Sequence, residues 1–211
     1  MRVVKDAEER RNEILDVAEV LFGTKGFEQT STNDILKEVG IARGTLYYHF
    51  KSKEDILDAM IERMNNQLLA MAAQIAGQQT IPVLERLTRT IMALNVDTSL
   101  GSEVMEQVHK PQNALMHQKM QEKLLSGINP IVTKLVEEGI RQGIFYTDFP
   151  AEAVEMCMIY SNIAFDDLQE QSEEQRKQRI EGFIYNVERL FGTEPGALES
   201  TLLKIFQKES E

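Results

Sequence analysis

The sequence predicts an all-α fold, with an N-terminal three-helix helix-turn-helix domain and a larger C-terminal helical bundle. Two observations carry this. Apolar residues recur at three- and four-residue steps nearly throughout, and no run of strand length alternates apolar with polar residues. The 12 glycines and five prolines are few, and they cluster where the helical pattern stops.

The elements follow in order. Residues 6–24 carry Ile14, Ala18, Leu21 and Phe22 along one stripe and stop at Gly26. A short helix runs over 31–39, with Ser31 and Asp34 as an N-capping pair and Gly40 as its end. Another spans 42–49. Ser52, ahead of Lys53-Glu54-Asp55, opens a long connecting helix over about 53–76, in which Ile56, Met60, Met64 and Leu68 recur every four residues. Pro82 suits the first turn of a helix to Val96, since its missing N–H is not needed there. A short helix is expected over 102–110. Residues 112–142 are helical, with a kink expected between Gly127 and Pro130. After a loop to Pro150, helices are expected over 151–168, 173–191 and 194–207. This predicts two domains, residues 1–53 and 54–211.

Composition narrows the function. The 211 residues hold 23 Lys+Arg and 34 Asp+Glu, a formal net charge of −11, which speaks against a nucleic-acid binder when read as an average. The average conceals a division. Residues 1–53 hold 9 basic and 9 acidic side chains, so the whole excess of acid lies beyond them. The single cysteine, Cys157, forms no internal disulfide. No apolar run is long enough for a membrane span, and residues 1–15 lack the apolar core of a signal peptide, so a cytoplasmic location is expected.

Residues 31–50, STNDILKEVGIARGTLYYHF, read as helix, glycine-centred turn, helix. Ile35 and Val39 face Leu46 and Phe50. This is the size and pattern of a helix-turn-helix, whose second helix enters the DNA major groove. From Gly40 to Lys53 there are three basic residues (Arg43, Lys51, Lys53) and no acidic one. Arginine pairs with guanine, Thr and Tyr reach base edges or thymine methyls, and glycine permits close approach. Arg43, Gly44, Thr45, Tyr47 and Tyr48 are the exposed positions of the second helix. His49, Lys51 and Lys53 follow it, placed to meet phosphates. A plain helical hairpin with a solvated basic corner also fits this pattern.

GTLYYHF followed by KSKEDIL resembles the DNA-binding signature of the TetR family of bacterial transcriptional regulators, and ILDVAEVLFGTKGFEQTS resembles that family's first helix and its turn at Gly26-Phe27. The resemblance covers about residues 10–60 and is only general beyond them. It implies that Arg43, Gly44, Thr45 and Tyr47 face bases, that Tyr48, His49 and Lys53 hold the DNA backbone, and that Thr32 and Asn33 touch phosphate or a groove edge. Leu36 and Val39 stand where the family often has small residues, and Ala42 where it often has Ser, which removes one cap or phosphate contact. The function implied is a ligand-responsive repressor that binds a palindromic operator on double-stranded DNA as a homodimer and is released by a small-molecule effector. An activator or a ligand-independent regulator fits as well. A helical small-molecule-binding protein or enzyme fits less, because no Ser-His-Asp, metal or phosphate-loop constellation is present.

The body would then bind effector and partner. The wide apolar face of Ala153, Met156, Cys157, Tyr160, Ala164 and Phe165 points to a four-helix homodimer interface built from residues 151–168 and 173–191. Met92, Asn95, Met105, His109, Met116 and Met120, with Tyr160 and Phe165, are the expected lining of a pocket for an apolar or amphipathic effector. Methionine as plain core filler is the competing reading, and a cationic effector is the alternative that the acidic balance suggests. His109 and His117 are eight residues apart and lack the spacing of a helical metal site, so no metal or cofactor is expected. Cys157 reads as a buried structural thiol.

Overall fold

The computed structural model describes residues 6–94, 113–165 and 171–206. Among these residues it contains nine helices and no strand: α1 (Ala7–Lys25), α2 (Thr32–Val39), α3 (Arg43–His49), α4 (Lys53–Ala76), α5 (Val83–Met92), α6 (Ala114–Arg141), α7 (Pro150–Ala164), α8 (Glu173–Leu190) and α9 (Glu199–Phe206). The helix expected over 102–110 lies outside the described residues, as do Asn95, Met105 and His109.

Local chemistry sets the helix starts. Asp6 and Glu9 form a capping box at the head of α1, as do Ser31 and Asp34 on α2 and Ser172 and Gln175 on α8. Lys25 and Ser31 hold the Asp34 carboxyl well below the usual carboxylate range. At α4, the Ser52 hydroxyl accepts the Asp55 N–H and Asp55 accepts the Lys51 N–H. Gly40 ends α2 at φ 73°, a left-handed conformation that a Cβ would strain.

The described residues fall into two compact units. The first holds residues 6–67 and 113–123. Its core joins Ile14, Leu15, Ala18 and Phe22 of α1 to Phe27, Ile35, Leu46 and Phe50, then to Ile56, Leu57, Met60, Ile61 and Met64 of α4. Met116 and Met120 of α6 belong to the same core. This unit therefore extends past residue 53, because the apolar stripe of the helix-turn-helix is covered by the first three turns of α4. Arg63 fastens α4 to α1 with ion pairs to Asp16 (2.7 Å) and Glu19 (3.0 Å).

The second unit holds residues 68–94, 124–165 and 171–206. Ile128, Val132 and Val136 of α6, Ala153 and Val154 of α7, and Ile184 and Val187 of α8 form its core, with Phe145, Phe191 and Leu202. Gly127 lets α6 approach α4 closely, since a Cβ there would lie 2.3 Å from a Leu69 methyl.

Three expected boundaries are corrected. Helix α7 ends at Ala164, short of the expected 168, and α6 runs as one helix through Gly127 and Pro130. Helix α5 stops at Met92, four residues short of the expected end. The last helix begins at Glu199 and not at 194, because the buried Glu188 carboxylate accepts the Gly196 and Leu198 N–H groups (both 2.9 Å) and holds 195–198 in turns.

Candidate nucleic-acid interface

Helix α3 is seven residues long, too short to be stable by itself, so its neighbours must hold it. Leu46 anchors its inner face and Phe50 seals its end, both buried in the first core. Its N-cap, Ala42, makes no side-chain hydrogen bond, as the missing hydroxyl predicts. Compensation comes at the other end. Arg11 of α1 donates to the His49 carbonyl (3.2 Å), and its guanidinium lies 4.4 Å from the centre of the Phe50 ring. A cation at a helix C-terminus meets both an orphan carbonyl and the negative end of the dipole. Sequence reasoning missed Arg11, whose only signal is a basic residue one turn before the first buried position of α1.

The outer face of α3 is exposed at four of the five positions expected there. Arg43, Gly44, Tyr47 and Tyr48 are exposed, with Tyr48 at 77%, and Thr45 is half-buried. The Arg43 guanidinium lies 5.8 Å from the Tyr47 ring centre, which limits the side-chain freedom that binding would otherwise remove. Thr32 and Asn33 sit in the first turn of α2, half-buried and exposed respectively. Helix N-terminal N–H groups there suit an anion.

Two expected backbone contacts are placed differently from simple exposed cations. His49 packs edge-on to Tyr48 with ring centres 4.9 Å apart. Burial, then Arg11 and Arg10, push its pKa below the usual imidazole value. The Lys53 ammonium donates to the Phe27 carbonyl (2.8 Å) and lies 4.2 Å from the Phe27 ring centre. Among the described residues the Phe27 carbonyl is the hydrogen-bond acceptor of this ammonium.

Comparison with known proteins decides the family. A model described as "Bacterial regulatory proteins, tetR family" matches residues 14–60, and one described as "Tetracyclin repressor-like, C-terminal domain" matches residues 96–183. The HTH-type transcriptional repressor KstR2 of Rhodococcus jostii is 30% identical over 151 residues, 68% of this chain and 71% of that protein. The chain belongs to the TetR family. KstR2 of Mycolicibacterium smegmatis is 29% identical over 157 residues, 69% of this chain and 72% of that relative. Among solved TetR-like folds, FadR from Bacillus subtilis in complex with stearoyl-CoA aligns with a TM-score of 0.59 at 21% identity, covering 85% of this chain and 97% of that one. RolR in complex with resorcinol aligns with a TM-score of 0.63 at 18% identity, covering 97% of each chain.

The residues expected to line a pocket are divided between the two compact units of this TetR-family protein. Met116 and Met120 are buried in the first unit, where their flexible side chains fill the core beside α4. Met92, Tyr160 and Phe165 belong to the second unit. There Tyr160 stacks on Phe183 (5.7 Å), and Phe165 meets Phe183 and Phe206 edge-on. A groove of about 440 Å³ runs along α7 and α8, lined by Tyr160, Gln175, Arg179, Gly182 and Asn186 among others. His117 pairs with Gln121 (2.9 Å). Cys157 is half-buried, and burial pushes the pKa of its thiol up to about 12. Among the described residues no helix is long and apolar enough to cross a membrane.

Proposed function

We propose that this protein is a ligand-responsive repressor that binds a palindromic operator as a homodimer through α3 and releases it when an apolar or amphipathic small molecule occupies the helical body. The observation that carries the reading is the outer face of α3, where Arg43, Thr45, Tyr47 and Tyr48 surround a side-chain-free Gly44 within an acid-free stretch. Thr32, Asn33, His49 and Lys53 flank it as backbone contacts. The repressor names of the KstR2 relatives, and the stearoyl-CoA and resorcinol bound by the FadR and RolR structures, support the same reading. An effector need only bind one of two spacings of the recognition helices better than the other.

Gel-shift titration on the promoter DNA beside its own gene tests this. A specific, salt-sensitive complex is expected, and its absence across the promoter would remove the reading. Within such a complex, Lys53→Ala should weaken all sequences alike and reduce the salt slope by about 1, whereas Tyr47→Ala should relax sequence preference, by about 1–3 kcal/mol at the affected base pair.

The homodimer surface proposed is that of α7 and α8. Helix α7 buries Ala153 and Val154 against its own core and presents Met156, Ile159, Tyr160 and Ile163 outward, with Ile163 73% exposed. These positions form one stripe at helical spacing, and Tyr185 of α8 adds to the exposed apolar surface. Two-fold symmetry would bury the stripe against its own copy. Ile163→Glu should therefore convert the dimer to monomer at micromolar concentration, because two-fold symmetry would bury two unpaired carboxylates in one interface. Sedimentation velocity reads the outcome. An unchanged dimer would place the interface elsewhere.

A further inference from the structure

At the N-terminal entry to α6, a polar and buried contact reaches the turn between α1 and α2. Asn113 is fully buried, and its side-chain oxygen accepts the Phe27 N–H at 3.1 Å, across 86 positions of sequence. Phe27 sits in the turn between α1 and α2 and is itself buried. The same residue's carbonyl accepts from the Lys53 ammonium, and its ring lies under that ammonium. The chain Asn113–Phe27–Lys53 lies within the first compact unit.

The local geometry explains why the turn needs this help. The Thr30 N–H bonds to the Gly26 and Phe27 carbonyls, and the Thr30 hydroxyl donates to the Gly26 carbonyl (2.7 Å). Those bonds serve the carbonyls of the turn and leave the Phe27 N–H to be satisfied from outside. A buried N–H without a partner is costly enough for the turn to shift when the partner leaves. A shifted turn would move both the carbonyl and the ring that fix Lys53 at the head of α4.

We infer that Asn113 is a positioning residue for DNA binding, which holds the Lys53 ammonium at its phosphate-facing place through the Phe27 turn. The inference rests on the reading of α3 and Lys53 as the DNA-contacting surface. Asn113 immediately precedes α6, so a displacement of that helix reaches Lys53 without passing through α3. The residue thereby links the position of α6 to the strength of the backbone contact and leaves base readout untouched.

The test is a double-mutant cycle on full-length protein, read by titration of own-promoter DNA at several salt concentrations. Asn113→Leu keeps the volume and removes the acceptor. Asn113→Ser removes the reach while staying polar, and serves if the leucine variant folds poorly by circular dichroism. Either is expected to lower affinity about 10-fold for every promoter sequence and to reduce the salt slope by about 1. In a Lys53→Ala background the same change should have no further effect, and Asn113→Asp, which keeps an acceptor, should retain most of the affinity. Two results overturn the inference while leaving the DNA-binding reading intact: a lowered melting temperature with affinity and salt slope unchanged, or losses from Asn113 and Lys53 that multiply independently. Failure of the wild-type protein to bind promoter DNA overturns both.

Discussion

Gly44→Ala is expected to lower operator affinity by one to two orders of magnitude while leaving the protein as stable as before or more so. Nothing inside the molecule asks for glycine at this position. It lies in the first turn of α3, its φ is not positive, and a Cβ built there meets nothing within 4 Å. Alanine is a better helix former by up to about 1 kcal/mol, so folding alone would favour it. What remains is close approach of the backbone to something outside, which a duplex in the proposed complex supplies. Melting temperature and gel-shift affinity, measured on the same preparation, separate the two effects. Equal affinity for both proteins would mean that α3 does not bring its backbone to the groove. Gly40 offers the contrast. It too has open space around it, but its φ of 73° makes any side chain strained, so Gly40→Ala should destabilise the fold.

The largest loss of stability is expected from Arg86→Met, about 3–5 kcal/mol, or a fall of roughly 10 °C in melting temperature at fixed protein concentration. Arg86 of α5 is almost wholly buried. Its guanidinium donates to the Ala76 carbonyl at the end of α4 (2.9 Å), to the Ile81 carbonyl (3.0 Å) and to the Glu138 carboxylate of α6. One side chain thus satisfies the C-terminal end of α4 and the turn that follows, and joins both to α6. Methionine keeps the apolar stem but strands two carbonyls and a partly buried carboxylate. Glu138→Leu alone leaves the buried guanidinium without its counter-charge but with both carbonyl acceptors, and should also destabilise, by less. The double variant Arg86→Met/Glu138→Leu should recover part of the loss, because no lone charge is left behind. Additive losses would show that the ion pair contributes little and that the carbonyl bonds carry the effect.

Much of the first unit is readable from sequence because its signals are local. Ser31 and Asp34 cap α2 as their spacing predicts, Gly40 ends it, and Ile35, Leu46 and Phe50 are buried as their periodicity predicts. The bounds of α4 match the predicted 53–76 for the same reason, with Ser52 and Asp55 at its head and Ile56, Met60, Met64 and Leu68 all inward. Long-range effects are where the reading departs from the structure. The late start of α9 depends on Glu188, whose carboxylate comes from a helix that ends before it, and no local pattern announces that contact.

The candidate site divides in the same way. Arg43, Tyr47 and Tyr48 were legible as an outward face because a short helix with Leu46 inside must turn those positions out. Arg11 and Asn113 were not, since each acts on a backbone group 38 or 86 positions away. The methionines show the limit most plainly. Met116 and Met120 read equally well as pocket lining or as filler, and their side chain fits both roles. Only the closing of α6 against α4 makes them core.

By itself, then, the sequence determined the all-α class, the helix-turn-helix, the face of α3 and the neutral N-terminal segment that sets it apart from the acidic remainder. Each is a property of residue type at short spacing, where chain connectivity already fixes who meets whom. The tertiary structure alone decided that the first three turns of α4 complete the DNA-binding core, that Lys53 is held by the Phe27 turn, and that Arg86 and Glu188 satisfy backbone groups far from them. Those outcomes depend on which buried polar groups are left unpaired once the helices pack, and that is set by the packing and not by any local run of sequence.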